Sequence, residues 1–249
     1  MKKPEMIIFD YGQTLACEPG FDLRHGYRAI LEYVKENPNH ITGDELYEAS
    51  EGLFKEFEQC RKLGFEVYQQ RALSCAFERH GLSFSVEMNK LEQVLWDNTS
   101  LGTTMPYIEE LLKYLDENGI RTGVISNIGW SGEALTQRLN RLLPENKFEF
   151  IIASSEYVVR KPDKRLFEIA VQKAGISAEQ IWYCGDSIKY DVRGAYGAGM
   201  LPVLYEGERQ SPDPYPTYNS EEKVDFDYLK VNNWLELIEI IKKLTANKA

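Results

Sequence analysis

The chain has 249 residues, 43% hydrophobic and 27% charged, with a net charge of −10 and a pI near 5.0. That suits one medium α/β domain, or a core carrying a smaller insert, and it argues against the broad basic face that binding to a nucleic-acid backbone requires. No apolar stretch approaches the roughly 18 residues of a membrane span. The opening MKKPEMIIFD has too short an apolar run for a signal peptide. Cys17, Cys60, Cys75 and Cys184 show no C-x-x-C spacing, and His25, His40 and His80 lie far apart. Reduced thiols in a cytoplasmic protein are therefore expected, without disulfides or a zinc site.

In chain order, Met6–Phe9 is a short apolar run that reads as a strand buried on both faces. No convincing strand follows between residues 17 and 100. Thr42-Gly-Asp-Glu45 has the pattern of a helix capping box, amphipathic stretches continue to Leu63, and Glu66–His80 and Val86–Trp96 are also helical in pattern. Beyond them, Tyr107–Asn118 carries Ile108, Leu111, Leu112 and Leu115 at helical spacing and is closed by Gly119. Strand runs recur at Thr122–Ile125, Phe148–Ala153, Ile181–Cys184 and Leu201–Tyr205, with a helix over Asp163–Ala174 stopped by Gly175. Gly207–Tyr218 reads as an irregular loop whose Tyr215 and Tyr218 are open to a partner, and Asn233–Leu244 as a terminal helix. Alternation of strand and helix implies right-handed crossovers. The expectation is an α/β fold, a doubly wound parallel-sheet (Rossmann-like) core over 1–16 and 101–249, with an inserted α-helical subdomain over 17–100.

Four clusters sit at or just past strand ends, where open α/β sheets bind ligands. They are Phe9-Asp10-Tyr11-Gly12-Gln13-Thr14-Leu15, Val124-Ile125-Ser126-Asn127, Arg160-Lys161-Pro162-Asp163, and Gly185-Asp186-Ser187 with Asp191 further on. A carboxylate at a strand tip can attack phosphorus. A second one beside it offers hard oxygen to Mg²⁺. A lysine offsets repulsion between anionic nucleophile and anionic phosphoryl group, and hydroxyl and backbone N–H groups hold the transferring oxygens.

The order D-x-x-x-T, S-N, K-P, G-D-S-x-x-x-D resembles the haloacid dehalogenase-like superfamily over essentially the whole chain, and the helical insert resembles that superfamily's cap. The resemblance implies a Mg²⁺-dependent phosphohydrolase acting on a small phosphorylated metabolite through an aspartyl-phosphate intermediate. Asp10 would be the nucleophile and a metal ligand, and the Gly12 carbonyl, Asp186 and Asp191 would complete the metal site. Thr14, Ser126 and the Asn127 backbone would hold the phosphoryl oxygens, and Lys161 would balance charge. The resemblance also implies that the strands bearing Asp10 and Asp186 are neighbours.

Gly12 departs from that pattern, because phosphatases of the superfamily usually carry a second Asp there, which protonates the leaving oxygen and later activates water. Losing a general acid/base costs about 10² to 10⁴ in rate. Gln13 stands where a glycine is common, and Gly12 itself is open to the reading that its backbone resists a side chain. Beside the phosphatase, a weak or inactive binding protein and a haloacid dehalogenase stay open. The acids at 186 and 191 weigh against the dehalogenase, whose attack on carbon needs no Mg²⁺. Arg24, His25, Arg28 and Arg61 are candidates for an anion contact from the insert, and Tyr11 and Trp130 for the mouth of the site. The sequence specifies no oligomeric state.

Overall fold

The computed structural model describes residues 1–207, 219 and 222–246. The strands are β1 (Met6–Phe9), β2 (Ala16–Cys17), β3 (Val34–Glu36), β4 (Ser83–Phe84), β5 (Thr103–Thr104), β6 (Arg121–Ser126), β7 (Phe148–Ala153), β8 (Ile181–Gly185), β9 (Leu201–Tyr205) and β10 (Leu229–Val231). The helices are α1 (Leu23–Ile30), α2 (Gly43–Lys62), α3 (Gln69–Arg79), α4 (Met88–Thr99), α5 (Ile108–Glu117), α6 (Gly132–Leu142), α7 (Lys164–Ala174), α8 (Arg193–Gly197) and α9 (Trp234–Ala246).

Six strands form one parallel sheet in the order β10-β9-β8-β1-β6-β7. β1 is central and fully buried, as its unbroken apolar run requires. Its side chains alternate between two cores. Ile7 and Phe9 enter the layer formed with α5, α6 and α9, and Met6 and Ile8 enter the one formed with α7. The sheet flanked by helices on both faces is the α/β Rossmann-like architecture expected from the sequence.

Local chemistry accounts for the boundaries. Thr42 and Glu45 form the reciprocal capping box at the start of α2. Asp163 caps α7 by accepting from Arg165 N–H, and Gly175 ends that helix at φ +65°. β10 was not legible in the sequence: it is three residues long, at the sheet edge, and only partly apolar.

Helices α1 to α4 pack around their own apolar cluster, which includes Tyr27, Ile30, Leu46, Leu73, Phe77 and Leu95. The strand-free reading of 17–100 needs one correction, because β3 pairs antiparallel with β4 inside this block. β2 and β5 also pair antiparallel, Ala16 with Thr104 and Cys17 with Thr103. The two chain crossings between the helical block and the sheet therefore run side by side. Among the described residues, no helix is long and apolar enough to cross a membrane. Tyr215 and Tyr218 lie outside the described residues.

Candidate active site

The register of β1 decides where the chemistry collects. Phe9 stands between Val124 of β6 and Cys184 of β8, so the next residue, Asp10, emerges between two strand ends. Its N–H donates to the Cys184 carbonyl at 2.8 Å, which extends the β1–β8 ladder by one bond. Asp186 follows the last residue of β8, and Ser126 ends β6.

Lys161 joins these ends. Its Nζ is buried and donates to Asp10 Oδ1 at 2.7 Å, Asp191 Oδ1 at 2.6 Å and the Tyr183 hydroxyl at 2.8 Å. All three ammonium donors are thereby spent. Tyr183 in turn donates its hydroxyl hydrogen bond to the Ile125 carbonyl at 3.0 Å. The Lys161 backbone is held by Asn127, whose side chain accepts from Lys161 N–H and donates to Lys161 C=O.

Asp191 is aimed back at the strand end by a turn. Its Oδ2 accepts from Ser187 N–H at 3.0 Å. A Cβ on Gly185 would stand 2.3 Å from Asp191 Cγ, so a residue without a side chain is required there. Asn219 braces the same loop, donating to the Asp186 carbonyl and accepting from Ile188 N–H.

Burial raises the Asp10 carboxyl to about 6, against the opposing pull of Lys161 and with some help from Asp191. Burial likewise disfavours the Lys161 ammonium, but the Asp10 and Asp191 carboxylates outweigh it and hold Lys161 above its ordinary value. Asp10, Asp186 and Asp191 each offer a carboxylate oxygen within 4.8 Å of the others. Three clustered carboxylates supply hard oxygen donors that fit a divalent cation such as Mg²⁺.

Thr14 is fully buried, and its Oγ1 has no protein partner. A buried hydroxyl without a partner is costly unless a ligand supplies one. Gly12 has nothing within 4 Å of the position a Cβ would take, and the left-handed φ of this loop, +53°, falls on Gln13 instead. The reading in which the Gly12 backbone resists a side chain is therefore corrected. Gln13 is also buried, with Oε1 unpartnered.

The other candidates divide. Arg24 pairs with Asp44 and Glu48, and Arg28 with Asp44, on exposed helix surface, and His25 directly follows Arg24 there. Arg61 instead reaches the sheet side, with an Nη 3.2 Å from the position of a Cβ on Gly129, just past Asn127. Tyr11 is buried and donates to Glu18 at 3.1 Å, and Trp130 stacks on Trp96 at 5.1 Å. These two rings bind α4 to the sheet. Glu92 of α4 reinforces that attachment, accepting from Ser131 N–H at 2.9 Å and Ser131 Oγ at 2.5 Å. Tyr183, Asn219, Glu66 and Glu92 were not singled out by the sequence, since each acts through a partner distant along the chain.

The family model for haloacid dehalogenase-like hydrolases matches residues 45–204, more than half of the chain. The chain belongs to the haloacid dehalogenase-like hydrolase family. As a member it is similar to the glyceraldehyde 3-phosphate phosphatase of Methanopyrus kandleri, at 26% identity over 97% of this chain and 98% of the relative. It is also similar to the pyrimidine 5'-nucleotidase YjjG of Escherichia coli, at 28% identity over 85% and 90%. Among solved structures, a haloacid dehalogenase-like phosphatase from Thermococcus onnurineus superposes with a TM-score of 0.60 at 19% identity, covering 97% of this chain and 98% of that one. That likeness concerns the fold alone. The chain is thus a hydrolase of this family with its four motifs at the carboxyl ends of the sheet.

Proposed function

We propose that this protein is a Mg²⁺-dependent phosphohydrolase of the cytoplasm that cleaves a small phosphorylated metabolite through an aspartyl-phosphate on Asp10. The observation that carries the reading is the buried Lys161 ammonium shared by Asp10 and Asp191, with Asp186 completing the carboxylate cluster. Two relatives named for phosphomonoester hydrolysis support the substrate class.

An Asp10 carboxylate oxygen attacks phosphorus, and the bond from phosphorus to the leaving oxygen breaks. Water then attacks the aspartyl-phosphate, releasing inorganic phosphate and restoring the carboxylate. Lys161 keeps the nucleophile anionic and oriented despite its burial. Thr14 Oγ1, the Ser126 hydroxyl and the Asn127 N–H hold the phosphoryl oxygens as charge redistributes. Asp10, the Gly12 carbonyl, Asp186 and Asp191 would hold Mg²⁺. Bound there, it would supply positive charge against which nucleophile and phosphoryl group can meet. Helices α1 to α4, over 17–100, act as a cap that excludes water and selects the substrate.

Gly12 supplies no proton, so the leaving oxygen draws on water, on the cap, or on its own low basicity. A protein that only binds its ligand is the second reading, and the vacant acid position is what favours it. The decisive experiment traps the intermediate. Beryllium fluoride with Mg²⁺ should bind the wild-type protein as a phosphoryl mimic on Asp10 and should not bind Asp10→Asn. Full phosphatase activity in Asp10→Asn would overturn the nucleophile assignment.

A further inference from the structure

Residues 64–69 run along the sheet's loops in a continuous seam. Glu66 N–H donates to the Val158 carbonyl at 2.6 Å, Arg160 N–H to the Gly64 carbonyl at 3.0 Å, and Gln69 N–H to the Gly129 carbonyl at 2.8 Å. The seam sets the Glu66 carboxylate, 1% exposed, between two guanidinium groups. Arg61, from the end of α2, donates its Nε at 2.9 Å. Arg160, the residue before Lys161, lies with Nη1 3.6 Å away.

Glu66 does not need both cations. Its two oxygens already accept from Arg61 Nε, Val67 N–H and Ser154 Oγ. Two arginines against one carboxylate leave a single net positive charge in a largely closed place, where the side chains of Arg61 and Arg160 are 29% and 17% exposed. Burial pushes the Arg160 guanidinium below its ordinary value, Glu66 offsets part of that, and the nearness of Arg61 pushes it down again. Arg160 Nε is buried with no partner. Among the described residues Arg61 spends only its Nε. Bringing two like charges together with donors unspent is unfavourable unless an anion completes the arrangement. Both groups also adjoin the phosphoryl-binding loops, since Arg61 lies against Gly129 and Arg160 immediately precedes Lys161.

We propose that Arg61 and Arg160 form a second anion subsite that takes a carboxylate on the leaving-group side of the substrate. This deepens the phosphohydrolase reading and rests on it. A planar guanidinium fork matches a carboxylate bidentately. One net positive charge matches a carboxylate's single charge better than it matches a second phosphate. At equal leaving-group basicity, phosphomonoesters of hydroxy acids are thus bound in preference to those of neutral alcohols.

The test uses full-length Asp10→Asn, which cannot turn over, with Mg²⁺ present. Calorimetry compares 3-phosphoglycerate with glycerol 3-phosphate, which differ in carrying a carboxylate or a hydroxymethyl group. The expected preference for 3-phosphoglycerate is about ten-fold or more, the range of a charge-assisted bond. Arg61→Gln or Arg160→Gln, each added to Asp10→Asn, should bring the two ligands to within about two-fold, chiefly by weakening 3-phosphoglycerate. Should either Gln variant fail to fold, Arg61→Lys and Arg160→Lys keep the counter-charge for Glu66 and lose the fork, and they should still cut the preference several-fold. Equal affinity in the parent, or a preference that survives these substitutions, overturns the subsite. Hydrolysis of p-nitrophenyl phosphate by the wild-type protein is read separately. A preserved binding preference with no hydrolysis would support the subsite and remove the enzyme reading alone.

Discussion

Asn127 and Lys161, from different motifs, close a two-bond ring. The Asn127 Oδ1 accepts from Lys161 N–H at 2.7 Å, and its Nδ2 donates to the Lys161 carbonyl at 3.0 Å. The amide therefore copies a strand pairing between the loop after β6 and the loop after β7. It sets the height at which the Lys161 side chain reaches Asp10. Asn127→Ala should cost about 1 to 3 kcal/mol of stability by leaving part-buried backbone groups unpaired. It should lower turnover more than substrate affinity, because it frees the lysine and leaves the phosphoryl-binding backbone in place. Urea unfolding and steady-state kinetics check both; an unchanged kcat would separate the ring from lysine placement.

Gly185 is the structural condition for Asp191. A methyl group there would meet Asp191 Cγ at 2.3 Å, inside any real contact. Gly185→Ala should drive the carboxylate off the end of β8 and weaken Mg²⁺ binding strongly, by calorimetry. Asp186→Ala should do the same by removing a ligand. Unaltered Mg²⁺ affinity in both variants would remove the metal assignment.

Glu92 ties helix α4 to Ser131 from a fully buried position, and its pH dependence has a definite sign. Burial raises its carboxyl above the ordinary 4.5, while the bonds from Ser131 and Gln70 oppose the rise and Glu133 adds a little to it. Between that ordinary value and the raised one, the folded protein holds the proton more tightly than the unfolded chain. Stability contributed by this residue therefore falls as pH rises through the window. The difference in unfolding free energy between wild type and Glu92→Gln should decrease from pH 4.5 toward pH 7. Urea unfolding at several pH values measures it, and a difference that is flat or grows with pH would contradict the assignment.

Much of this was legible in the sequence because the chemistry is local to strand ends. Asp10, Ser126 and Asp186 each end or follow an apolar run, so periodicity marks their positions, while the place of Lys161 and the roles of all four came from the resemblance to the family. Partners were illegible for a physical reason. Nothing near Tyr183 in the sequence says that its hydroxyl will meet an ammonium 22 residues away, and Glu66 finds Ser154 at a separation of 88. The helical reading of residues 17–100 missed β3 and β4 because strands of three and two residues carry no usable alternation. At Gly12 and Gln13 the sequence located the unusual residues and misplaced the strain, since composition cannot say which of two adjacent residues takes the left-handed φ.

The vacant acid position at Gly12 yields the sharpest expectation. Protonation of a leaving group matters in proportion to its basicity. An alkyl alkoxide depends heavily on a general acid, whereas an aryl oxide or a carboxylate departs unaided. The wild-type protein should therefore favour aryl and acyl phosphates, and its rate should fall steeply as the leaving-group pKa rises. The backbone permits the missing group to be installed. No atom lies within 4 Å of a Cβ at residue 12, and its φ lies outside the left-handed region. Gly12→Asp should flatten the slope and raise alkyl phosphate turnover, by no more than about the 10² to 10⁴ that general acid catalysis supplies. The gain should fall short of that limit because Gln13, buried at φ +53° with an unpartnered Oε1, has packed the loop without a carboxylate beside it. The measurement is log kcat/KM against leaving-group pKa for both proteins. A shallow wild-type slope with fast alkyl phosphate hydrolysis would mean that another residue already serves as the acid, and the cap is where to seek it. If neither protein hydrolyses any ester, the vacancy at Gly12 marks a binding protein that has given up catalysis.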